Sequence, residues 1–123
     1  MPEQVLLLDD DEDLMEIVSE RLKNRGMNVD TVSNIEKALL WLANKRYDAI
    51  ILDFMMPGMD GFESIRTIRK QQPDIRIILV TGQMLADGGR SAIQTGADVV
   101  LEKPADLEVL AKSIRATECG KDG

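Results

Sequence analysis

The chain has 123 residues, 44% of them hydrophobic and 30% charged, which is typical of one globular domain that needs no disulfide or metal to fold. Its 22 acidic residues exceed its 15 basic ones, and the formal charge of −7 argues against direct binding of nucleic acid or of an anionic membrane. The chain contains no histidine and a single cysteine, Cys119, which excludes Ser-His-Asp triads, histidine metal sites and an internal disulfide.

The first predicted strand is the short apolar run at residues 5–8. The acidic residues Asp11, Glu12 and Asp13 follow it and predict the start of a helix, because negative charge is favoured at a helix N-terminus. Gly26 predicts the end of this helix. Its inner side is predicted to carry the apolar residues at helical spacing, which are Leu14, Ile17, Val18 and Leu22.

Residues 29–32 predict a second strand, and its polar character is typical of a sheet edge. Ser33 and Glu36 match a capping box, which predicts that the second helix begins there. Its predicted inner residues are Ala38, Leu39 and Leu42, and Trp41 is predicted to pack or to lie half-exposed on the helix surface.

The third strand, residues 49–53, is apolar on both faces and ends on a carboxylate, Asp53. A turn containing Pro57, Gly58 and Gly61 follows at once. A strand that is apolar on both faces lies in the middle of a parallel sheet, and ligands of open α/β sheets bind at the carboxyl ends of the strands. Asp53 is therefore the central candidate, and the other polar residues are candidates if they are expected to lie close to it.

The rest of the chain continues the same alternation of strand and helix. A third helix is predicted to end at Gln72-Pro73, a fourth strand spans 77–80, and a fifth spans 99–101. The helix predicted within 84–96 is short because Asp87-Gly88-Gly89 weakens its first turn. Asp106 is the predicted N-cap of the last helix.

This pattern predicts a doubly wound α/β fold, (βα)5, whose five-stranded parallel sheet has the order 2-1-3-4-5 of flavodoxin-like proteins. We assign the domain to residues 1–118 and predict a disordered tail at 119–123.

Polar residues stand where four of the five predicted strands end: Asp9 and Asp10, Asp53, Thr81, and Lys103. In this strand order the first and third strands are neighbours, so the three carboxylates should meet. Carboxylates so close repel one another and need a cation, and Mg²⁺ suits oxygen ligands that leave positions for water and phosphate. With a lysine and a hydroxyl added, the set could move a phosphoryl group onto Asp53. No P-loop is present, so the phosphoryl group must come from elsewhere.

The sequence resembles the response-regulator receiver domain of two-component signalling. The resemblance covers residues 5 to about 116 and is carried by these stretches: Val5-Leu6-Leu7-Leu8-Asp9-Asp10-Asp11-Glu12, Leu52-Asp53 through Met59-Asp60-Gly61, Val80-Thr81-Gly82, Gly96-Ala97-Asp98 and Lys103-Pro104.

The resemblance implies a role for each residue of the site. Asp53 would accept the phosphoryl group, Asp10 would bind Mg²⁺ directly, and Asp9 would bind it through water. Met55 would offer its backbone carbonyl to the metal. Thr81 would move toward the phosphoryl group, and Lys103 would pair with it. Gly82 would leave room for the phosphoryl group and offer its N–H. Pro104 could follow a cis peptide bond.

Two positions depart from the common receiver pattern. Val100 stands where many receivers carry a Tyr or Phe that swings inward, so the switch would run instead through Thr81 and the Gly88-Gly89 segment. Ala105 replaces the Phe common after Lys-Pro, so the packing beneath the last helix must differ.

The implied function is a switch that is phosphorylated by a sensor histidine kinase or a phosphotransfer protein and read on its helix 4, strand 5 and helix 5 face by an effector domain or protein. Dimerisation on phosphorylation could accompany it. The domain would catalyse its own phosphorylation and dephosphorylation, without an external substrate. No signal peptide or long apolar span is recognisable, which predicts a cytoplasmic location without membrane contact.

Three alternatives compete with this interpretation. A Mg²⁺-dependent phosphohydrolase with an aspartyl-phosphate usually has an acidic residue two positions after its nucleophile, and Met55 stands there. A degenerate receiver that serves only for docking would lack Asp10, Asp53 or Lys103. A flavin-binding flavodoxin would not line its phosphate site with three carboxylates.

Overall fold

The structure is a computed structural model that describes residues 2–54, 56, 60–82 and 87–115. The tail predicted at 119–123, the boundary at 118 and Cys119 lie outside these residues. The elements alternate along the chain: β1 (Gln4–Leu8), α1 (Glu12–Lys23), β2 (Asn28–Val32), α2 (Ile35–Asn44), β3 (Ala49–Asp53), α3 (Gly61–Gln71), β4 (Arg76–Thr81), α4 (Arg90–Thr95), β5 (Val99–Glu102) and α5 (Leu107–Arg115).

The five strands form one parallel sheet in the order β2-β1-β3-β4-β5, which confirms the predicted fold. Every residue of the central strand β3 is buried. Leu8 at the end of β1 lies beside Leu52, and Asp53 lies beside Val80 of β4. The carboxyl ends of β1, β3 and β4 therefore meet at one edge of the sheet.

The helices bury two separate apolar cores, one on each face of the sheet. On one face, helices α2, α3 and α4 contribute Ala38, Leu42, Ile65, Ile68 and Ala92. On the other face, helices α1 and α5 contribute Met15, Leu22, Leu110, Ala111 and Ile114. Among the described residues, no helix has both the length and the apolar character that a membrane crossing requires.

Two of the predicted helix starts are confirmed and one is wrong. Asp11 accepts a hydrogen bond from the Leu14 N–H at 3.1 Å, and Asp106 accepts one from Glu108 at 2.7 Å. Helix α2 is capped by Asn34, which accepts a hydrogen bond from Lys37 at 2.8 Å, and not by the predicted Ser33. Asn and Ser cap helices about equally well, so two adjacent candidates left the start ambiguous by one residue.

The inner side of α1 differs from the prediction at Leu14 and Ile17, and Leu14 is only partly buried and belongs to neither core. Ile17 is 51% exposed, whereas Met15 is buried. Met15, Val18 and Leu22 follow one another at three- and four-residue spacing and form the stripe that faces the sheet. Ile17 lies beside this stripe, at the border of a cavity described below.

The single tyrosine, Tyr47, is buried, and its hydroxyl donates a hydrogen bond to Asp30 at 2.7 Å. Burial, followed by this hydrogen bond, raises the pKa of Tyr47. The neutral phenol thus stabilises the fold below the ordinary tyrosine pKa of about 10, and this contribution is lost as the pH rises through the higher folded-state pKa.

We therefore expect the tyrosinate absorption band of the native protein to appear at a higher pH than that of the urea-unfolded chain, which should titrate near pH ~10. Tyr47→Phe should remove the band and lower the free energy of unfolding by about 1 kcal/mol, the usual effect of losing one hydrogen bond. Identical titrations of the native and unfolded chains would contradict this assignment.

Candidate functional site

Three carboxylates meet at the carboxyl edge of the sheet, as predicted. Asp9 and Asp10 directly follow β1, and Asp53 ends β3. One oxygen from each lies within 4.8 Å of the others. Asp9 and Asp53 are buried, whereas Asp10 is exposed to solvent. The cluster is therefore anchored in the core and open on one side.

Lys103, which follows β5, brings an ammonium group to the same cluster. Its Nζ lies 3.2 Å from an oxygen of Asp9 and 3.2 Å from an oxygen of Asp53. The side chains of these two aspartates are only 7% and 8% exposed, so the pairs lie in a region of reduced solvent screening. The Lys103–Pro104 peptide bond is cis, the isomer that the sequence left open.

The pKa of the Lys103 ammonium is raised. Partial burial alone would lower this pKa, but hydrogen bonds and attraction to Asp53 and Asp9 outweigh burial. The lysine is thus held in its charged form between the two carboxylates.

Asp9 is fixed in orientation by both of its oxygens. Its Oδ1 accepts a hydrogen bond from the Asp11 N–H at 3.0 Å, while its Oδ2 faces Lys103. Asp11, predicted only as the cap of α1, thus has a second role through its backbone amide, which was not predicted. The Asp-x-Asp spacing was the available signal, since an Asp side chain often accepts from the N–H two residues later.

Thr81 and Gly82 lie at the end of β4. Thr81 is buried and not exposed at all, and its carbonyl accepts a hydrogen bond from the Lys103 N–H at 2.7 Å. Gly82 is exposed, and a Cβ built on it meets no atom within 4 Å among the residues that the structure describes. This open space is what the predicted role of Gly82, leaving room beside the site, requires.

Gly61, which begins α3, has no such space. A Cβ there would overlap the ring of Phe54, the residue that follows Asp53. We expect Gly61→Ala to lower the free energy of unfolding by about 1–2 kcal/mol, since the ring must shift in a packed site. Gly82→Ala is the matched control, expected to stay within about 0.5 kcal/mol of the parent in urea unfolding. Equal effects of the two substitutions would contradict the predicted crowding.

Two further candidates lie away from the carboxylates. Val100, on β5, packs against the core beneath α4 and faces Gly89, whose built Cβ would lie 3.1 Å from it. Asp98 lies at the start of β5, where it accepts hydrogen bonds from Ile77 and Arg69. Asp98 is thus a structural residue. Met55, the predicted carbonyl ligand, lies outside the described residues.

The sequence matches the response regulator receiver domain profile over residues 5–115. This chain belongs to the response-regulator receiver family. The receiver is 35% identical over 116 residues to the response regulator MprA of Mycobacterium sp. (strain KMS), covering 94% of this chain and 50% of MprA. The chain thus spans about half the length of the curated relatives it matches.

Solved structures of receivers are closely similar. A response regulator from Burkholderia pseudomallei, solved with a phosphorylated aspartic acid, calcium ion and citrate, has a TM-score of 0.85 at 27% identity, covering 98% of this chain and 72% of its own. The BeF3-activated receiver domain of DrrB from Thermotoga maritima has a TM-score of 0.82 at 27% identity, covering 94% and 96% of the two chains.

The acidic cluster of this receiver fits a divalent cation. Asp9, Asp10 and Asp53 supply oxygen ligands, the type that hard cations prefer. These carboxylates exceed the single ammonium of Lys103 by two negative charges when all are ionised. Because Asp10 is exposed, water and a ligand oxygen could also reach the ion. The residues present can therefore hold a metal ion here.

Proposed function

We propose that Asp53 accepts a phosphoryl group from a phosphohistidine of a sensor histidine kinase or phosphotransfer protein, and that Mg²⁺ is the required ion. The observation that carries this proposal is the convergence of three carboxylates and Lys103 at one edge of the sheet. A phosphoryl-accepting site explains why the buried carboxylate of Asp53 both belongs to the acidic cluster and contacts an ammonium group.

The chemistry assigned to Asp53 is one displacement at phosphorus. A carboxylate oxygen of Asp53 forms the new O–P bond as the N–P bond of the phosphohistidine breaks, and the leaving imidazole keeps the electron pair. Lys103, already 3.2 Å from Asp53, is placed to follow the negative charge onto the phosphoryl oxygens.

The metal would be held directly by Asp10 and Asp53, through water by Asp9, and by the backbone carbonyl of Met55 as a further ligand. When bound, the cation would offset the negative charge of the carboxylates and of the incoming phosphoryl group. Asp9 keeps its orientation through the Asp11 N–H. The chain's own groups thus fix the direction from which the phosphoryl group can approach.

The switch is proposed to start at Thr81 and Lys103. Phosphorylation replaces the single negative charge of the Asp53 carboxylate with a phosphoryl group that carries about two, which would draw the Thr81 hydroxyl and the Lys103 ammonium inward. The backbone hydrogen bond between these two residues couples the ends of β4 and β5. A displacement at either residue would therefore change the face formed by α4, β5 and α5. A downstream effector domain or protein, or a second phosphorylated copy, would bind to this changed face.

The domain is proposed to act on itself and not on an external substrate. The phosphohydrolase alternative lacks a carboxylic acid two residues after Asp53, where Met55 stands. MprA is about twice as long as the aligned region, so the partner and output of this receiver are proposals from its family.

The test is incubation with acetyl phosphate and Mg²⁺, followed by the mass of the intact protein. We expect one phosphoryl group to be added to the parent and none to Asp53→Asn or to the parent in EDTA. Asp98→Asn changes a carboxylate outside the site and controls for general effects of losing an aspartate, although its contact with Arg69 means that its folding must be checked. Lack of addition to a folded parent that binds Mg²⁺ would leave the docking-only receiver as the better interpretation.

A further inference from the structure

A cavity of about 450 Å³ opens between α1 and α5, beneath the loop that follows β5. Its walls are apolar and come from Leu14, Ile17 and Val18 of α1 and from Leu107 and Leu110 of α5. Buried strand residues form its floor. Its volume lies within the range of about 300–1,000 Å³ that is usual for small-molecule sites.

One of the residues that line the cavity has a small side chain. Ala105 lines it and is only partly buried against this core. Ile17, on the opposite wall, remains 51% exposed even though it faces an apolar surface. A large apolar area that neither helix covers is costly in water, so a ligand that fills the cavity would gain from its burial.

The charges that line the cavity are both positive. Among the described residues that line it, the only charged ones are Arg21 and Lys103. The Lys103 ammonium is paired with Asp9 and Asp53. Within the described part of the chain, the Arg21 guanidinium takes part in none of the ion pairs. Because Lys103 is already paired, the charge that distinguishes this cavity is the Arg21 guanidinium, which favours a ligand with one negatively charged group.

We propose that this cavity binds a small apolar carboxylic acid. The aliphatic tail would lie against Leu14, Val18 and Leu110, and the carboxylate would pair with Arg21 at the rim. Lys103 lines this cavity and also contacts the phosphoryl-accepting carboxylates, but binding of the acid does not depend on the proposed phosphorylation. Its occupant is identified by chemistry alone: an unbranched chain for the apolar walls and one negative charge for the arginine.

The test is a titration of the full chain with decanoate, below the concentration at which it forms micelles, monitored by backbone amide NMR. We expect saturable shifts confined to α1, α5 and the loop around Ala105. Decylammonium has the same tail with a positive head and should bind at least about fivefold more weakly, because it meets Arg21 with like charge. Equal binding of the two probes would overturn the assignment of an acid.

Variants test where the tail lies. Ala105→Phe should fill the cavity and weaken decanoate binding at least about tenfold. Ile17→Glu adds a negative charge at an exposed position of the rim and should have a similar effect without threatening the core. Leu40→Glu, at a 63% exposed position of α2 away from the cavity, is the matched control and should leave binding unchanged.

Unchanged binding in both cavity variants, or equal loss in Leu40→Glu, would overturn the proposal. A second copy of the chain could occupy the cavity instead. In that case the parent would dimerise, Ala105→Phe would abolish the dimer, and decanoate would leave the dimer unchanged. This result would also overturn the proposal.

Discussion

Replacing Lys103 with Met is expected to lower the free energy of unfolding in metal-free buffer by about 2–4 kcal/mol, the usual range for removing one partner of a buried ion pair, reduced for partial solvent exposure. The substitution leaves Asp9 and Asp53, both nearly buried, without their 3.2 Å contact to the ammonium. The side chain of Lys103 is itself 25% exposed, which is why we place the effect below the largest values known for such pairs.

The matched control is Lys45→Met. Lys45 pairs with Asp30 at 2.8 Å, but its side chain is 42% exposed, so solvent screens this pair. We expect a loss within about 1 kcal/mol, as for other surface ion pairs. Urea unfolding of the two variants therefore separates a pair that neutralises buried charge from one that does not. Similar losses in both would contradict the special position of Lys103.

Divalent cations should reverse most of the effect of Lys103→Met. Removing the ammonium leaves the three carboxylates as the only charges of the cluster, and a ligand that binds only the folded state stabilises it in proportion to its affinity. We expect Mg²⁺ to bind the variant more tightly than the parent and to raise its midpoint of urea unfolding by more. Asp53→Asn in the Lys103→Met background should also restore stability, since it removes one of the repelling charges.

Much of this site was predictable because it depends on chain topology more than on side-chain packing. Apolar runs locate the strands, and once β1 and β3 are neighbours in a parallel sheet the residues that follow them must meet. Asp9, Asp10 and Asp53 could thus be placed together from the sequence, and the structure confirms that they are. Their assigned roles in phosphoryl transfer stay predictions.

The details that depend on packing were harder to predict. Contacts with the sheet and with α5 decide which face of α1 is buried. Met15 is buried there, whereas Ile17, which was predicted to be buried, is exposed. The start of α2 fell on Asn34 because adjacent Ser and Asn compete as caps. The position of Lys103 equidistant from two carboxylates could not be read from its place in the chain, since it follows from the loop after β5.

A second large effect is expected at Gly89, directly before α4. Gly89 has φ of +89°, and a Cβ there would lie 3.1 Å from side-chain carbons of Val100. Gly89→Ala should lower the free energy of unfolding by about 2–3 kcal/mol, because the left-handed backbone and the crowding both oppose it. Gly88→Ala is the control: its φ is +69°, but its built Cβ meets no atom of the described residues within 4 Å, so we expect about 1–2 kcal/mol from the backbone alone.

The contact itself is measured by combining Gly89→Ala with Val100→Ala. Trimming Val100 to Ala removes two of the three carbons that the new methyl group would meet and leaves the Cβ. The double variant should therefore be more stable than the sum of the single losses predicts, by about 0.5–1.5 kcal/mol. Strict additivity would show that Val100 does not limit the approach of this turn to β5.

The position of this contact makes it a candidate for the path from the site to α4. Val100 stands on β5 beside Leu79 of β4, two residues before Thr81, and touches the residue from which α4 begins. If phosphorylation of Asp53 displaces α4 through this contact, the coupling between Gly89 and Val100 should shrink when fluoroberyllate and Mg²⁺ occupy the site. A coupling that is the same with and without fluoroberyllate, in protein shown to bind it, would exclude Val100 from the switch and leave Thr81 and Lys103 as its route.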